Sequence, residues 1–148
     1  MEYNYLNGEM IFPSSYLPKM LKQARCKVDV SLETIMLKDS REITDLDREE
    51  IFKSCINAEE EKIIITHGTD TMVETAQVLE KNIKDKTVVL LGAMIPYSFG
   101  NSDALFNLGC AVSAVQSLPK GVYITMNGKI FSCDKVRKNK KIGEFETV

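Results

Sequence analysis

The sequence predicts an α/β fold: an open, mainly parallel sheet with helices on both of its faces. Three observations lead there. Short aliphatic runs at residues 63–65, 87–91 and 122–126 are too apolar for loops and too short for surface helices. Each reads as a strand buried on both faces, as parallel strands are. Between the runs stand helical stripes: Met72, Ala76, Leu79 and Ile83, then Ala104, Leu108, Ala111, Val112 and Val115. Strand and helix alternating in this way mark parallel crossovers. The third observation is the abrupt change of period inside residues 63–76, reading IIITHGTDTMVETA, where a polar cluster sits between strand and helix.

In chain order, residues 1–13 hold polar-flanked aromatics with Gly8 and Pro13 as punctuation, and read as a loop or an irregular hairpin. Ser14 or Ser15 caps a helix over about residues 16–25, with Leu17, Met20, Leu21 and Ala24 on one side. Pro18 is tolerated there because it falls in the first turn. Residues 28–37 alternate Val28, Val30 and Leu32 and read as a strand ending near Lys38-Asp39-Ser40. Thr44 with Asp47 spells a capping box for a helix to about Asn57 that buries Ile51, Cys55 and Phe52. The strand 62–66 and a helix over 70–83 follow, then Lys84-Asp85-Lys86 as a polar connector.

Gly92 stops the next strand, and residues 93–100 form a loop with Pro96. Asn101, Ser102 or Asp103 starts the next helix, closed by Pro119 and Lys120-Gly121. Asn127-Gly128 is a strong two-residue turn, so residues 129–132 pair back on 122–126. Residues 134–148 read as a polar tail carrying the basic run 135–141. Nothing before the first helix reads as a buried strand, so the sheet is expected to lack the central first strand of a doubly wound domain.

The totals narrow the function. At 148 residues, 44% hydrophobic and 27% charged, the chain suits one domain with a real core. A formal net charge of −2 argues against nucleic acid as a partner. No apolar run of about 18 residues is present, so no membrane span is expected. The start, MEYNYLNGEM, has neither the basic opening nor the apolar core of a signal peptide. Cys26, Cys55, Cys110 and Cys133 are widely spaced, which suits a reducing cytoplasm better than a disulfide framework. His67 is the only histidine, which rules out a multi-histidine metal site. The glycines form neither GxGxxG nor GxxxxGK[ST], so dinucleotide binding has weak support.

Chemistry concentrates at Thr66, His67, Gly68, Thr69, Asp70 and Thr71, where a strand ends and a helix begins. Ligands bind at such carboxyl ends in open α/β sheets, and helix-start N–H groups favour an anion such as a carboxylate. Asp70 either caps the helix or binds an ammonium group. Thr69 is a nucleophile, a water-orienting hydroxyl or a backbone partner. Helix capping is the plain explanation for any one of these residues, though not for all six together. His67 beside Gly68 at a crowded strand exit reads as a backbone-bonded structural histidine rather than the base of a triad. Lys138 belongs to a basic run that is ordinarily solvated; drawn into a pocket, it would activate a hydroxyl. Ser40 is a carboxylate binder or a turn serine.

The segment His67-Gly68-Thr69-Asp70-Thr71-Met72, with Glu74-Thr75-Ala76, resembles the HGTDTM-x-ETA signature of bacterial-type L-asparaginases. Gly92-Ala93-Met94-x-Pro96, Ser102-Asp103, Asn107-Leu108, Gly121-Val122 and Lys38-Asp39-Ser40 with Thr44 and Asp47 also fit that pattern. The resemblance covers nearly all of the chain, but only the amino-terminal, Rossmann-like domain of longer members, and is nearest to short single-domain forms. It implies hydrolysis of the side-chain amide of asparagine, sometimes glutamine, without metal or organic cofactor. It also implies self-association. By resemblance, Thr69, Asp70 and Lys138 form a Thr–Lys–Asp triad, and Asp70 holds the substrate α-ammonium. Ser40 binds the α-carboxylate, and backbone at Gly68 and Ala93 lines the pocket. Tyr3 or Tyr5 stands for the tyrosine of a mobile loop, of which residues 1–13 would be the remainder.

Two departures qualify this. Ile95 stands where long members carry arginine. The family opens with a strand ending in Thr-Gly-Gly-Thr-Ile, whose last threonine is the primary nucleophile, and no Gly-Gly-Thr occurs anywhere in the chain. Either Met1 is an internal methionine of a longer protein, the favoured explanation, or this is a true short form. Weak or absent asparaginase activity is expected of the 148-residue chain. A non-catalytic amino-acid-binding or regulatory module keeping the pocket is the alternative.

Overall fold

The computed structural model describes residues 2–4, 9–12 and 14–148, with backbone only for residues 2–4, 9 and 11. Strands β1 (Glu2–Asn4) and β2 (Glu9–Ile11) pair antiparallel, consistent with the irregular hairpin read from the sequence. Helix α1 (Leu17–Gln23) has Pro18 in its first turn, and Ser15 Oγ accepts the Leu17 N–H at 3.2 Å. Helix α2 (Asp45–Asn57) begins with the expected capping box. Thr44 Oγ1 accepts the Asp47 N–H at 3.3 Å, and Asp47 Oδ2 accepts the Thr44 N–H at 2.8 Å.

The centre is built from β3 (Lys62–Thr66), α3 (Met72–Asn82), β4 (Thr87–Leu91), α4 (Ala104–Ser117), β5 (Gly121–Met126) and β6 (Lys129–Ser132). The sheet order is β3-β4-β5-β6, parallel except for β6. Asn127 and Gly128 both have positive φ, 51° and 84°, as a hairpin turn with the twist of its strands requires.

Alternation along β4 sorts the core into two layers. Val88 and Leu90 join α2 and α3 on one face, while Val89 and Leu91 join α1 and α4 on the other. The strands step β3 to β4 to β5 in one direction, yet α3 and α4 lie on opposite faces. The two crossovers therefore have opposite hands, and one departs from the right-handed rule that holds in about 98% of cases.

Two sequence expectations are corrected. Residues 28–37 form no strand, and Val28, Val30, Leu32 and Leu37 are 40–50% exposed. A strand exists only by pairing, and among the described residues no strand lies against the free edge of β3. Only Ile35 and Met36 of this stretch pack on the core. Residues 134–148, read as a polar tail, instead form an antiparallel hairpin of β7 (Val136–Asn139) and β8 (Glu144–Thr147). Its anchors, Val136 and Phe145, are each 4% exposed within the α3-side core. A hairpin with two apolar anchors among charges leaves little hydrophobic period to read.

Candidate active site

The polar cluster lies where β3 leaves the sheet. His67 continues the ladder, its N–H bonding Leu91 O at 2.8 Å. Its ring is buried: Nδ1 lies 2.7 Å from Gly68 O and Nε2 lies 2.9 Å from the Thr75 hydroxyl. Nδ1–H donates to the carbonyl, so Nε2 is left to accept from Thr75. Burial, with the Arg48 charge adding to it, pushes the His67 pKa below its ordinary value against the pull of the Gly68 carbonyl and Glu74. His67 is thus a neutral structural residue at the root of the turn.

Two glycines let the surrounding segments close on this turn. A Cβ at Gly68 would fall 2.6 Å from Ser40 Oγ. One at Gly92 would fall 2.4 Å from His67 O and 3.0 Å from the Thr69 methyl. Ser40 is 3% exposed and ties its own turn to the cluster. Its Oγ accepts the Asp70 N–H at 3.2 Å, and its carbonyl accepts the Thr71 hydroxyl at 2.6 Å. Thr71 occupies the cap position of α3 without a capping bond.

Asp70 does not cap the helix. Its Oδ1 accepts from Lys138 Nζ at 2.6 Å, and the same ammonium donates to Thr69 Oγ1 at 2.8 Å. The hairpin register explains how a lysine from a basic run reaches the site. Lys138 stands opposite Phe145 and shares a strand face with Val136, so the two core anchors turn Lys138 inward. Arg137, one residue earlier, faces away and pairs with Glu146 at 2.7 Å. The Lys138 side chain is 13% exposed and that of Asp70 35%.

Ala93 directly follows Gly92 and packs on the α4-side core. Tyr3 lies in β1, but its side chain and all of Tyr5 fall outside the described residues. Thr69, Asp70, Lys138, Ser40, Gly68 and the Gly92–Ala93 turn therefore converge at one end of the sheet. Sequence reasoning missed the pairing that flanks Ser40. The Arg41 guanidinium donates to both Asp39 carboxylate oxygens, at 3.1 and 2.7 Å, holding the Asp39 pKa low, and the Asp39 and Asp70 carboxylates raise that of Arg41. Asp39-Ser40-Arg41 was legible as a turn but not as an ion pair. The sequence offered Asp103 as a helix start and as part of the family pattern, without a role in the site.

Among the described residues, no group of three His, Cys, Asp or Glu side chains forms a metal site, and no helix is long and apolar enough to cross a membrane. A surface cleft of about 490 Å³ is lined by Tyr16, Lys19, Tyr97 and neighbouring residues and by none of the cluster.

Comparison with known proteins agrees with the architecture. The family model described as Asparaginase, N-terminal matches residues 5–144. The glutaminase-asparaginase of Acinetobacter glutaminasificans is 37% identical over 107 residues, 70% of this chain and 30% of its own length. L-asparaginase 2 of Escherichia coli (strain K12) is 43% identical over 79 residues, 51% of this chain and 23% of its own. A solved structure of a probable cytoplasmic L-asparaginase from Campylobacter jejuni superposes with a TM-score of 0.79 at 36% identity, covering 88% of this chain and 44% of that one. The chain thus spans less than half the length of these relatives. With the family model matching residues 5–144 and a shared α/β fold, the chain belongs to the bacterial-type L-asparaginase family, the matched model being that of the family's amino-terminal part.

Proposed function

We propose that the chain carries an asparaginase-type amidohydrolase site that takes the side-chain amide of asparagine, with glutamine as the longer alternative, and water to aspartate and ammonia. The observation that carries this reading is the Lys138 ammonium bonded to both Thr69 and Asp70 from 69 and 68 positions away in the chain. In this reading Asp70 receives the substrate α-ammonium. The Lys138 amine takes the proton either of the Thr69 hydroxyl as it attacks the amide carbon or of a water that Thr69 orients, and hands it to the amide nitrogen as ammonia leaves; on the first route water then hydrolyses the Thr69 ester and restores the hydroxyl. Ser40, whose Oγ already accepts one N–H, keeps its own hydrogen for the substrate α-carboxylate. Backbone N–H groups at Gly68 and Ala93 serve the developing oxyanion, and Tyr3 supplies the loop tyrosine.

The absence of Gly-Gly-Thr from the sequence favours slow or negligible turnover by these 148 residues, and thus a second reading as an amino-acid-binding module. Four free cysteines support a cytoplasmic location, and the β3 edge, unpaired among the described residues, supports a homo-oligomer. Isothermal titration calorimetry with L-aspartate and L-asparagine, run beside an ammonia-release assay, tests the reading. Binding of both ligands is expected, lost in Lys138→Met, with little ammonia formed. Failure of both ligands to bind would overturn it. Robust turnover surviving Thr69→Ala would remove Thr69 from the chemistry.

A further inference from the structure

We propose that Asp103 is a positioning residue that fixes the Gly92–Ile95 turn, and with it the Ala93 wall and the Thr69 rotamer, an inference that rests on the site reading above. Asp103 stands at the cap position of α4, where an aspartate ordinarily bonds the first N–H groups of its own helix. It makes no such bond. Ser102 does that work, its Oγ accepting the Ala104 N–H at 3.0 Å.

Both Asp103 oxygens are committed elsewhere. Oδ2 accepts the Met94 N–H at 3.1 Å and Oδ1 accepts the Ile95 N–H at 3.1 Å. Oδ2 also accepts from Asn107 Nδ2 at 2.9 Å and Asn127 Nδ2 at 3.1 Å. Asn107, fully buried, donates in addition to Gly92 O at 2.9 Å and accepts the Asn127 N–H at 2.9 Å. The Ser102 hydroxyl donates to Ile95 O. The turn is therefore held through two N–H groups and two carbonyls by Ser102, Asp103 and Asn107, and Asn127 of the β5–β6 turn braces Asp103 and Asn107 in turn.

Gly92, the first residue of that turn, abuts His67 O and the Thr69 methyl. A shift of the turn thus reaches the reacting hydroxyl through one contact. Burial works to raise the Asp103 carboxyl, and the Ile95, Met94, Asn127 and Asn107 donors outweigh it, holding the pKa below the ordinary carboxylate value. That is the behaviour of a carboxylate gripping donors rather than of an idle surface acid.

Two substitutions separate positioning from capping. Asp103→Ser keeps a good helix cap but cannot hold two backbone N–H groups, and Asp103→Asn turns an amide N–H₂ toward donors. Both are expected to weaken L-aspartate binding by about tenfold or more. Both should also shift the Met94 and Ile95 amide signals and the Thr69 methyl signal in NMR spectra otherwise like the parent's. Parent-like binding with unmoved Met94 and Ile95 signals in Asp103→Ser would overturn the proposal.

The unaltered chain supplies a check independent of variant folding. The Met94 and Ile95 amide protons should follow the Asp103 carboxyl carbon through one common acid transition, and independent behaviour would equally overturn it. If the unaltered chain binds no L-aspartate, the amidohydrolase reading falls, and this common transition alone decides whether Asp103 holds the turn.

Discussion

A methyl group at position 68 would occupy space held by Ser40, 2.6 Å from its Oγ and 2.7 Å from its Cβ. Neither side can yield easily, because Ser40 is buried and bonded at both ends to Asp70 and Thr71. Gly68→Ala is therefore expected to cost about 1–3 kcal/mol by overpacking. It should also abolish L-aspartate binding, since the displaced Ser40 drags the Asp70 backbone with it. Urea unfolding and calorimetry read the two effects, and an unchanged affinity would show that Ser40 has no part in the site. The reach of Lys138 argues at the same scale. Replacing the lysine leaves the Asp70 carboxylate without its cation, and at 35% exposure water offsets part of that loss. The Thr69 and Asp70 positions were legible because they adjoin in sequence. The Ser40 contact was not, because nothing local couples residues 30 apart.

At the scale of elements, α2 shows how a local signal becomes a tertiary one. Its capping box was legible from Thr44 and Asp47 alone, since the bonds span three residues. Lys38, nine residues upstream, was not part of that signal, yet it bonds Asp47 at 2.7 Å. This bond, aided by the Thr44 N–H and hydroxyl, holds the Asp47 pKa at about 2, below its ordinary 3.8. A depressed carboxylate stabilises the fold above its unfolded pKa, and that contribution fades as pH falls from 3.8 toward about 2. Thr44→Ala is expected to cost about 1 kcal/mol at neutral pH. The deficit should shrink in acid as Asp47 protonates in both proteins. Urea unfolding at two pH values measures it, and a constant deficit would show that the cap works without the carboxylate. The β7–β8 hairpin is the opposite case. Its strands were hidden in a charged run; the resemblance named Lys138, and docking of Val136 and Phe145 supplies the reason that this lysine turns inward.

For the whole molecule, the sheet ends in β3 on one side and β6 on the other, and among the described residues β3 has no partner strand on its outer side. That edge strand carries Ile63, Ile64 and Ile65, each half-buried. An unpaired strand edge favours association. Sedimentation velocity across a range of concentrations is expected to show species heavier than the monomer at the upper end. A single monomer boundary throughout would remove self-association from the functional reading.

By itself the sequence determined the α/β class, the order of the buried strands and helices, the capping box, the Asn127-Gly128 turn and the family signature. All of these are written in periods and spacings shorter than a helix, where near neighbours in the chain are also near in space. Only the tertiary structure decided that residues 28–37 remain unpaired, that the last residues form a hairpin, and that Asp103 serves the turn before it rather than its own helix. The meeting of Lys138 with Thr69 and Asp70, expected by resemblance, owes its physical means to that hairpin. Each of these depends on which distant segment is present to bond or to bury against, and a local pattern does not contain that partner.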